Sequence, residues 1–322
     1  MKTVVYKKYG SPDVVEFREM PVPVPKENEV LIKIHAAVVT PSDCAFRKAD
    51  PFAIRLVGGL LKPKYAPGCE LSGEIVSIGK NVQLFKVGEQ VFGSAGTGFG
   101  AHAEYKCLPE SGVLALKPSN MTYTESVAIA DGALTALLFL RDRGKIKSGQ
   151  KVLINGASGA VGAYAVQLAK HYGANVTAVC SAGNELLVRS LGADEVIDYT
   201  TVDFTKTVGS YDLIFDAVGK SSFSRCRQLL APKGVYMGTV PKPGLFLQML
   251  LTSRSRGKKA IFSATGLNQR PENVAFLQEL AEAGKIKPVI DRTYELENIA
   301  EAHRYVELGH KKGNVVITVG EH

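Results

Sequence analysis

Lys151-Val152-Leu153-Ile154-Asn155-Gly156-Ala157-Ser158-Gly159-Ala160-Val161-Gly162-Ala163-Tyr164-Ala165-Val166-Gln167-Leu168-Ala169-Lys170 joins an apolar run to a helical pattern through a glycine-rich turn. Such a turn suits a dinucleotide pyrophosphate. Gly159 lets backbone N–H groups approach phosphate, Gly162 lets the helix pack closely on the strand, and the helix N-terminus offers unpaired donors. Counted back from Gly162, the pattern is Ala157-x-Gly159-x-x-Gly162, so alanine replaces the first glycine of the usual fingerprint, with Gly156 one place earlier. A turn that serves packing alone is the competing reading.

The segments that follow repeat the alternation. Strands are expected at 175–180, 195–198, 211–216, 234–238 and 260–264, with helices at 184–191 and 222–230. This order specifies a parallel sheet covered by helices on both faces, an α/β fold. The first 120 residues differ: Val30 to Val39 alternates in part, while Pro and Gly recur at Pro21, Pro23, Pro25, Pro67-Gly68, Gly79, Gly88 and Gly93. They read as a small β-rich domain ending near Lys117-Pro118-Ser119-Asn120. A helix begins near Thr124. Towards the C-terminus, a helix at 272–283, a strand at 289–294, a helix at 297–308 and a strand at 315–319 are expected, the last returning to the first domain.

The 322 residues suffice for two domains, and 45% hydrophobic with 22% charged residues is ordinary for a globular enzyme. Val127 to Leu140, the most apolar stretch, is interrupted by Asp131 and reads as too short to span a bilayer. Without a signal-like N-terminus, and with five scattered cysteines lacking a Cys-x-x-Cys pair, a cytoplasmic protein with reduced thiols is expected. The charge of +8 comes from 39 basic and 31 acidic residues. Arg254-Ser255-Arg256-Gly257-Lys258-Lys259 is the dense basic cluster, read as a solvated loop because no aromatic residues interleave with it for nucleic-acid stacking.

Several motifs carry a resemblance along nearly the whole chain: Gly68-Cys69-Glu70-Leu71-Ser72-Gly73-Glu74, Phe85-Lys86-Val87-Gly88-Glu89-Gln90-Val91-Phe92-Gly93, the Ala157–Gly162 turn, Leu191-Gly192-Ala193-Asp194, Asp216-Ala217-Val218-Gly219, and Ala302-His303 with Gly309-His310. The chain resembles the medium-chain dehydrogenase/reductase superfamily, in its zinc-free quinone oxidoreductase-like branch. The resemblance implies a Rossmann doubly wound sheet at 123–285 and a GroES-like catalytic domain at 1–122 completed by 286–322, with the active site in the cleft and a homodimer formed through cofactor-domain edges.

In zinc-dependent relatives the ligand positions correspond here to Thr40, Cys69 and Asp131, so no metal is expected. Thr40 becomes the candidate oxyanion donor, with a loop hydroxyl satisfied locally as its equal rival. Phe46 and Tyr65 are pocket candidates, and apolar Phe52, Ile54 and Leu60 suggest a hydrophobic acceptor. The resemblance assigns cofactor contacts to Thr135, to Ala157, Ser158, Gly159, Ala160, Val161 and Gly162, to Ser181, Asn184 and Tyr199, to Val218 and Gly219, and to Gly238, Phe262 and Ser263. NAD-selective folds place a carboxylate at the end of the second strand. Cys180-Ser181-Ala182-Gly183-Asn184 has none, which favours NADPH with NADH possible. The expected activity is hydride transfer from NADPH to a quinone or α,β-unsaturated carbonyl. An alkenal or enoyl thioester reductase is the near alternative, and a low-turnover NADPH-binding sensor, partner or RNA-binding module the distant one.

Overall fold

The stretch punctuated by Pro and Gly forms short strands: β1 (Lys2–Tyr6), β2 (Val15–Glu19), β3 (Glu29–Val39), β4 (Glu70–Ile78), β5 (Gln90–Ser94), β6 (Tyr105–Pro109) and β7 (Val113–Leu116). Two helices, α1 (Pro41–Lys48) and α2 (Ile54–Gly58), interrupt them, and α3 (Tyr123–Leu137) follows. The chain continues through β8 (Lys151–Asn155), α4 (Ala160–His171), β9 (Asn175–Cys180), α5 (Glu185–Ser190), β10 (Glu195–Asp198), β11 (Tyr211–Asp216), α6 (Phe223–Cys226), β12 (Leu230–Gly238), α7 (Pro243–Thr252) and β13 (Lys259–Phe262). It ends with α8 (Pro271–Glu282), β14 (Ile290–Glu295), α9 (Ile299–Glu307) and β15 (Asn314–Thr318). This computed structural model describes residues 1–64 and 66–320.

Two units result, Met1–Asp131 with Gln269–His322, and Gly132–Asn268. The sequence reading put the boundaries at 122/123 and 285/286. The division instead falls inside α3, which is uninterrupted, and α8 joins the first unit by packing on β7. In that unit the sheet order is β14-β15-β3-β4-β5-β7, with β6 also paired to β3. The alternation of β3 is only partial because both its faces are covered. Ile32, Ile34 and Val39 enter the main core with Leu71, Ile75 and Val315, while Ala36 and Val38 pack with Val127, Ala128 and Val316.

In the second unit the strands are all parallel, in the order β10-β9-β8-β11-β12-β13. This is the doubly wound 3-2-1-4-5-6 arrangement, whose order reverses between β8 and β11. The sequence pattern located these strands to within a few residues. It also found α4 and α5, but 222–230 is one α-helical turn of Phe223–Cys226, a 3-10 turn and the start of β12, and α7 went unread. The helix expected from near Thr124 starts at Tyr123 and, with a π turn after Leu137, runs to Arg143, beyond both ends of the apolar stretch Val127–Leu140. By length and composition it could cross a bilayer, but most of it is buried in the protein.

Candidate active site

Gly156 has φ +81° and sits against Val218, so the turn after β8 begins in a conformation that favours glycine. The Gly156 and Ala157 N–H groups donate to the Val179 carbonyl at 3.0 and 3.1 Å, fixing the turn to β9. A Cβ on Gly162 would lie 2.0 Å from the Gly156 oxygen, which explains the third glycine as a packing residue. Gly159 differs. It is the N-cap of α4, receives no side-chain cap, and among the described residues a Cβ there would meet only the Gly156 oxygen, at 3.5 Å. Open space therefore lies beside the first-turn N–H groups of a twelve-residue helix, a cradle that fits a phosphate. Ala160 packs against Gly132 of α3, where an added Cβ would lie 2.4 Å from the Ala160 oxygen, and buried Thr135 lies one turn further along α3.

Asn184 connects this turn to the end of β9. Its Nδ2 donates to Ser158 Oγ and Ser181 Oγ, both at 3.1 Å, and its buried Oδ1 has no hydrogen-bond partner among the described residues. Beside it, half-exposed Tyr199 donates its backbone N–H to the Cys180 carbonyl. The Asp198 carboxylate, one residue before Tyr199, is engaged by the N–H and hydroxyl of Thr200 and the N–H of Ala182, which hold it below the usual carboxylate range. These residues could hold a ribose phosphate.

Asp216, quoted in the sequence only as part of a motif, organises the next loop. Its fully buried carboxylate accepts from Asn155 Nδ2 and Tyr236 Oη, both at 2.9 Å, and from the N–H groups of Val218, Lys220 and Ser221. This sets the conformation of Val218 and Gly219, where φ is +65° and Lys242 Nζ donates to the Gly219 carbonyl. Gly238 ends β12 against Leu245; Phe262 stacks edge-on with Phe246, and buried Ser263 accepts from Arg143 Nε at 3.2 Å.

In the other unit, Thr40 is the N-cap of α1 rather than a free loop hydroxyl. Its Oγ1 donates to Asp43 Oδ2 at 2.7 Å and accepts from the Asp43 N–H at 3.1 Å, while Asp43 Oδ1 accepts from the Gly68 N–H. The hydroxyl has one proton, and Asp43 takes it. In this geometry Thr40 caps a helix, the locally satisfied one of its two readings. Nearby, burial followed by Asp131 and Asp43 pushes buried Glu70 well above the carboxylate range. Burial also raises Asp131, to about 6, against the opposing pull of Lys311, and burial with Glu70 raises the Cys69 thiol. A hydroxyl committed to Asp43 stands where a zinc site would need a converging ligand, which does not fit one. Among the described residues no group of three His, Cys, Asp or Glu side chains converges as metal ligands.

Phe46 of α1 packs 5.1 Å from Phe99, which has an uncommon φ of +45°, and both line a cavity of about 20 Å³ with Tyr6, Tyr9 and Pro67. An open recess of about 400 Å³ adjoins it through shared Tyr6, Pro63 and Ala66, and carries Lys7, Arg18, Lys62 and Lys64. Tyr65 lies outside the described residues. Phe52 and Leu60 are exposed and Ile54 is half-buried. Behind the cavity, His303 is fully buried with Nδ1 3.3 Å from Cys44 Sγ and 3.5 Å from Arg47 Nε, and Nε2 3.5 Å from Tyr6 Oη. Burial, then His102 and Arg47, lowers His303 to about 2, while burial raises Cys44 to about 12. Fully buried Arg47 also bonds the Gly10 carbonyl and Glu307.

Comparison with known proteins agrees with this fold. A family described as alcohol dehydrogenase GroES-like domain matches residues 26–118, and one described as zinc-binding dehydrogenase matches 191–317. The zebrafish (Danio rerio) protein named NAD(P)H oxidoreductase RTN4IP1, mitochondrial, is 32% identical, covering 100% of this chain and 92% of its own. The 2-methylene-furan-3-one reductase of Solanum lycopersicum is 33% identical over 98% of this chain and 79% of its own. The quinone oxidoreductase structure from Coxiella burnetii superposes with a TM-score of 0.89 at 28% identity, covering 99% of each chain. The chain belongs to the medium-chain dehydrogenase/reductase superfamily and is quinone oxidoreductase-like.

Proposed function

We propose that this oxidoreductase transfers hydride from NADPH to a hydrophobic quinone or α,β-unsaturated carbonyl without zinc. The donor set at Thr40, Cys69 and Asp131 carries the reading, because it leaves no Lewis acid to polarise a simple alcohol. A reduced nicotinamide, when bound, supplies the hydride. The chain's own residues bind and orient. The α4 N-terminus at Gly159 takes the pyrophosphate, Ser158, Ser181 and Asn184 take the 2′-phosphate, and Asp216 holds the Val218–Gly219 loop for the adenosine. Phe46 and Phe99 supply an apolar wall for the acceptor.

Names of relatives support both acceptor classes, a quinone and a furanone. The cationic recess beside the Phe46 cavity favours a second reading, an acceptor that carries an anionic group, such as an enoyl thioester. All five cysteines are free thiols, in keeping with a reducing cytoplasm. A homodimer paired along the free edge of β13 belongs to the same proposal.

The test is NADPH oxidation by the purified protein across quinones, enones, alkenals and enoyl thioesters, before and after treatment with a zinc chelator. Turnover of quinones or enones that persists after chelation is expected. Chelator-sensitive activity restored by zinc overturns the metal-free reading, and NADPH binding without turnover of any acceptor overturns the enzymatic one.

A further inference from the structure

Three contacts at fully buried His303 fix where a neighbouring proton lies. Arg47 Nε donates to its Nδ1 at 3.5 Å, and Cys44 Sγ lies 3.3 Å from the same nitrogen. A guanidinium only donates, so Nδ1 is an acceptor. Held neutral by burial, His303 then carries its single ring proton on Nε2, which faces Tyr6 Oη at 3.5 Å. Tyr6 Oη accepts it. The phenol's own hydrogen is left over, and among the described residues no other group takes it. Burial, followed by Asp43, pushes the phenol well above the usual tyrosine range, so that hydrogen stays in place.

Tyr6 lines the cavity beside Phe46 and Phe99, and the other polar side chains of that wall are committed. Tyr9 Oη donates to the Gly59 carbonyl at 2.7 Å, and the Asp43 carboxylate only accepts, its oxygens already taken by Thr40 and the Gly68 N–H. Tyr6 therefore holds the free proton among the cavity's described side chains. A volume of about 20 Å³ admits one water-sized group, such as a carbonyl oxygen, and the adjoining open recess shares Tyr6, so the cavity has a way in. We propose that Tyr6 is the hydrogen-bond donor to the carbonyl oxygen of the acceptor, a further catalytic residue that rests on the reduction proposed above. Hydride adds to a carbon of the conjugated acceptor, the displaced π pair moves through to the oxygen, and the Tyr6 hydroxyl donates to the charge that gathers there. Arg47 and His303 are positioning residues, since they aim this hydrogen without touching the acceptor.

Tyr6→Phe removes the hydroxyl and keeps the ring. With a quinone and an enone, the single-turnover rate of NADPH oxidation should fall about a hundredfold, while the NADPH dissociation constant and the acceptor KM stay within about twofold of wild type. Thermal denaturation shows that the variant is folded. 3-Fluorotyrosine placed at position 6 keeps the phenol and makes it a stronger donor, so it should raise the same rate, and it serves equally where the phenylalanine variant does not fold. A folded Tyr6→Phe that keeps the wild-type rate overturns the proposal, as does a rate indifferent to fluorination. So does a loss confined to KM, which would make Tyr6 a wall of the pocket only. A wild type that turns over neither acceptor removes the proposed reduction and the part of Tyr6 in it, whereas turnover indifferent to Tyr6 removes Tyr6 alone.

Discussion

Thr40 and Asp43 close a reciprocal capping box: the threonine hydroxyl donates to the carboxylate at 2.7 Å, and the aspartate N–H donates to that hydroxyl at 3.1 Å. The same carboxylate accepts from the Thr40 and Gly68 N–H groups. Asp43 thereby ties the start of α1 to the residues just before β4. A position that supplies a ligand in zinc-dependent relatives holds the chain together here.

Thr40→Val removes the cap and should destabilise the protein by about 1 kcal/mol, whereas Thr40→Ser should retain wild-type stability. Thermal denaturation measures the loss. Steady-state rates of the folded valine variant should stay close to wild type, and a hundredfold fall in kcat with Tm unchanged would return Thr40 to the chemistry.

The glycines of the turn should separate binding from folding. Gly159→Val directs its side chain into the open cradle, so the protein should fold with a normal Tm and lose NADPH affinity at least tenfold. Gly162→Ala forces a Cβ against the Gly156 carbonyl and should lower Tm itself. Fluorescence titration and melting of both variants distinguish the two roles.

Cofactor preference should respond to charge at Ser181. Ser181→Asp places a carboxylate where a 2′-phosphate would lie, so NADPH dissociation constants should rise much more than those for NADH. The difference should narrow at high ionic strength. Asn184→Ala should disconnect Ser158 from Ser181 and weaken both cofactors, NADPH more. Equal losses for the two cofactors in the aspartate variant would move the phosphate elsewhere.

His303 predicts an acid limb of stability. Its folded pKa is about 2, below the unfolded value near 6.5, so the unfolded chain takes up a proton that the fold refuses. Its contribution is complete above about pH 6.5 and is lost as pH falls below it, by about 1.4 kcal/mol per unit. Urea denaturation at several pH values should show a shallower slope in His303→Asn than in wild type.

The cofactor half was legible because its information is local. Buried parallel strands read as apolar runs, and the turn chemistry follows within a dozen residues. Helix α7 escaped because its exposed face is as apolar as its buried one, so periodicity had no contrast to register. At Thr40 the sequence left two roles open, since the fate of one hydroxyl proton depends on a neighbour's rotamer. The Cys44–His303 contact joins positions 259 residues apart and has no local signature. Asp216 offered a faint signal, a carboxylate at a strand end, but its five donors come from β8, β12 and the loop that follows β11.

The place of β15 between β14 and β3 bears on how the protein is made. Residues 132–268 are contiguous and emerge from the ribosome as a complete folding unit, whereas the first-made strands wait for the last-made one. Until Asn314–Thr318 arrives, the Ala36–Val39 edge of β3 stays unpaired, an apolar strand open to other chains. The nascent chain thus passes through an interval in which residues 132–268 can be native while the earlier-made strands need protection, and that interval lengthens with every pause in translating residues 269–318.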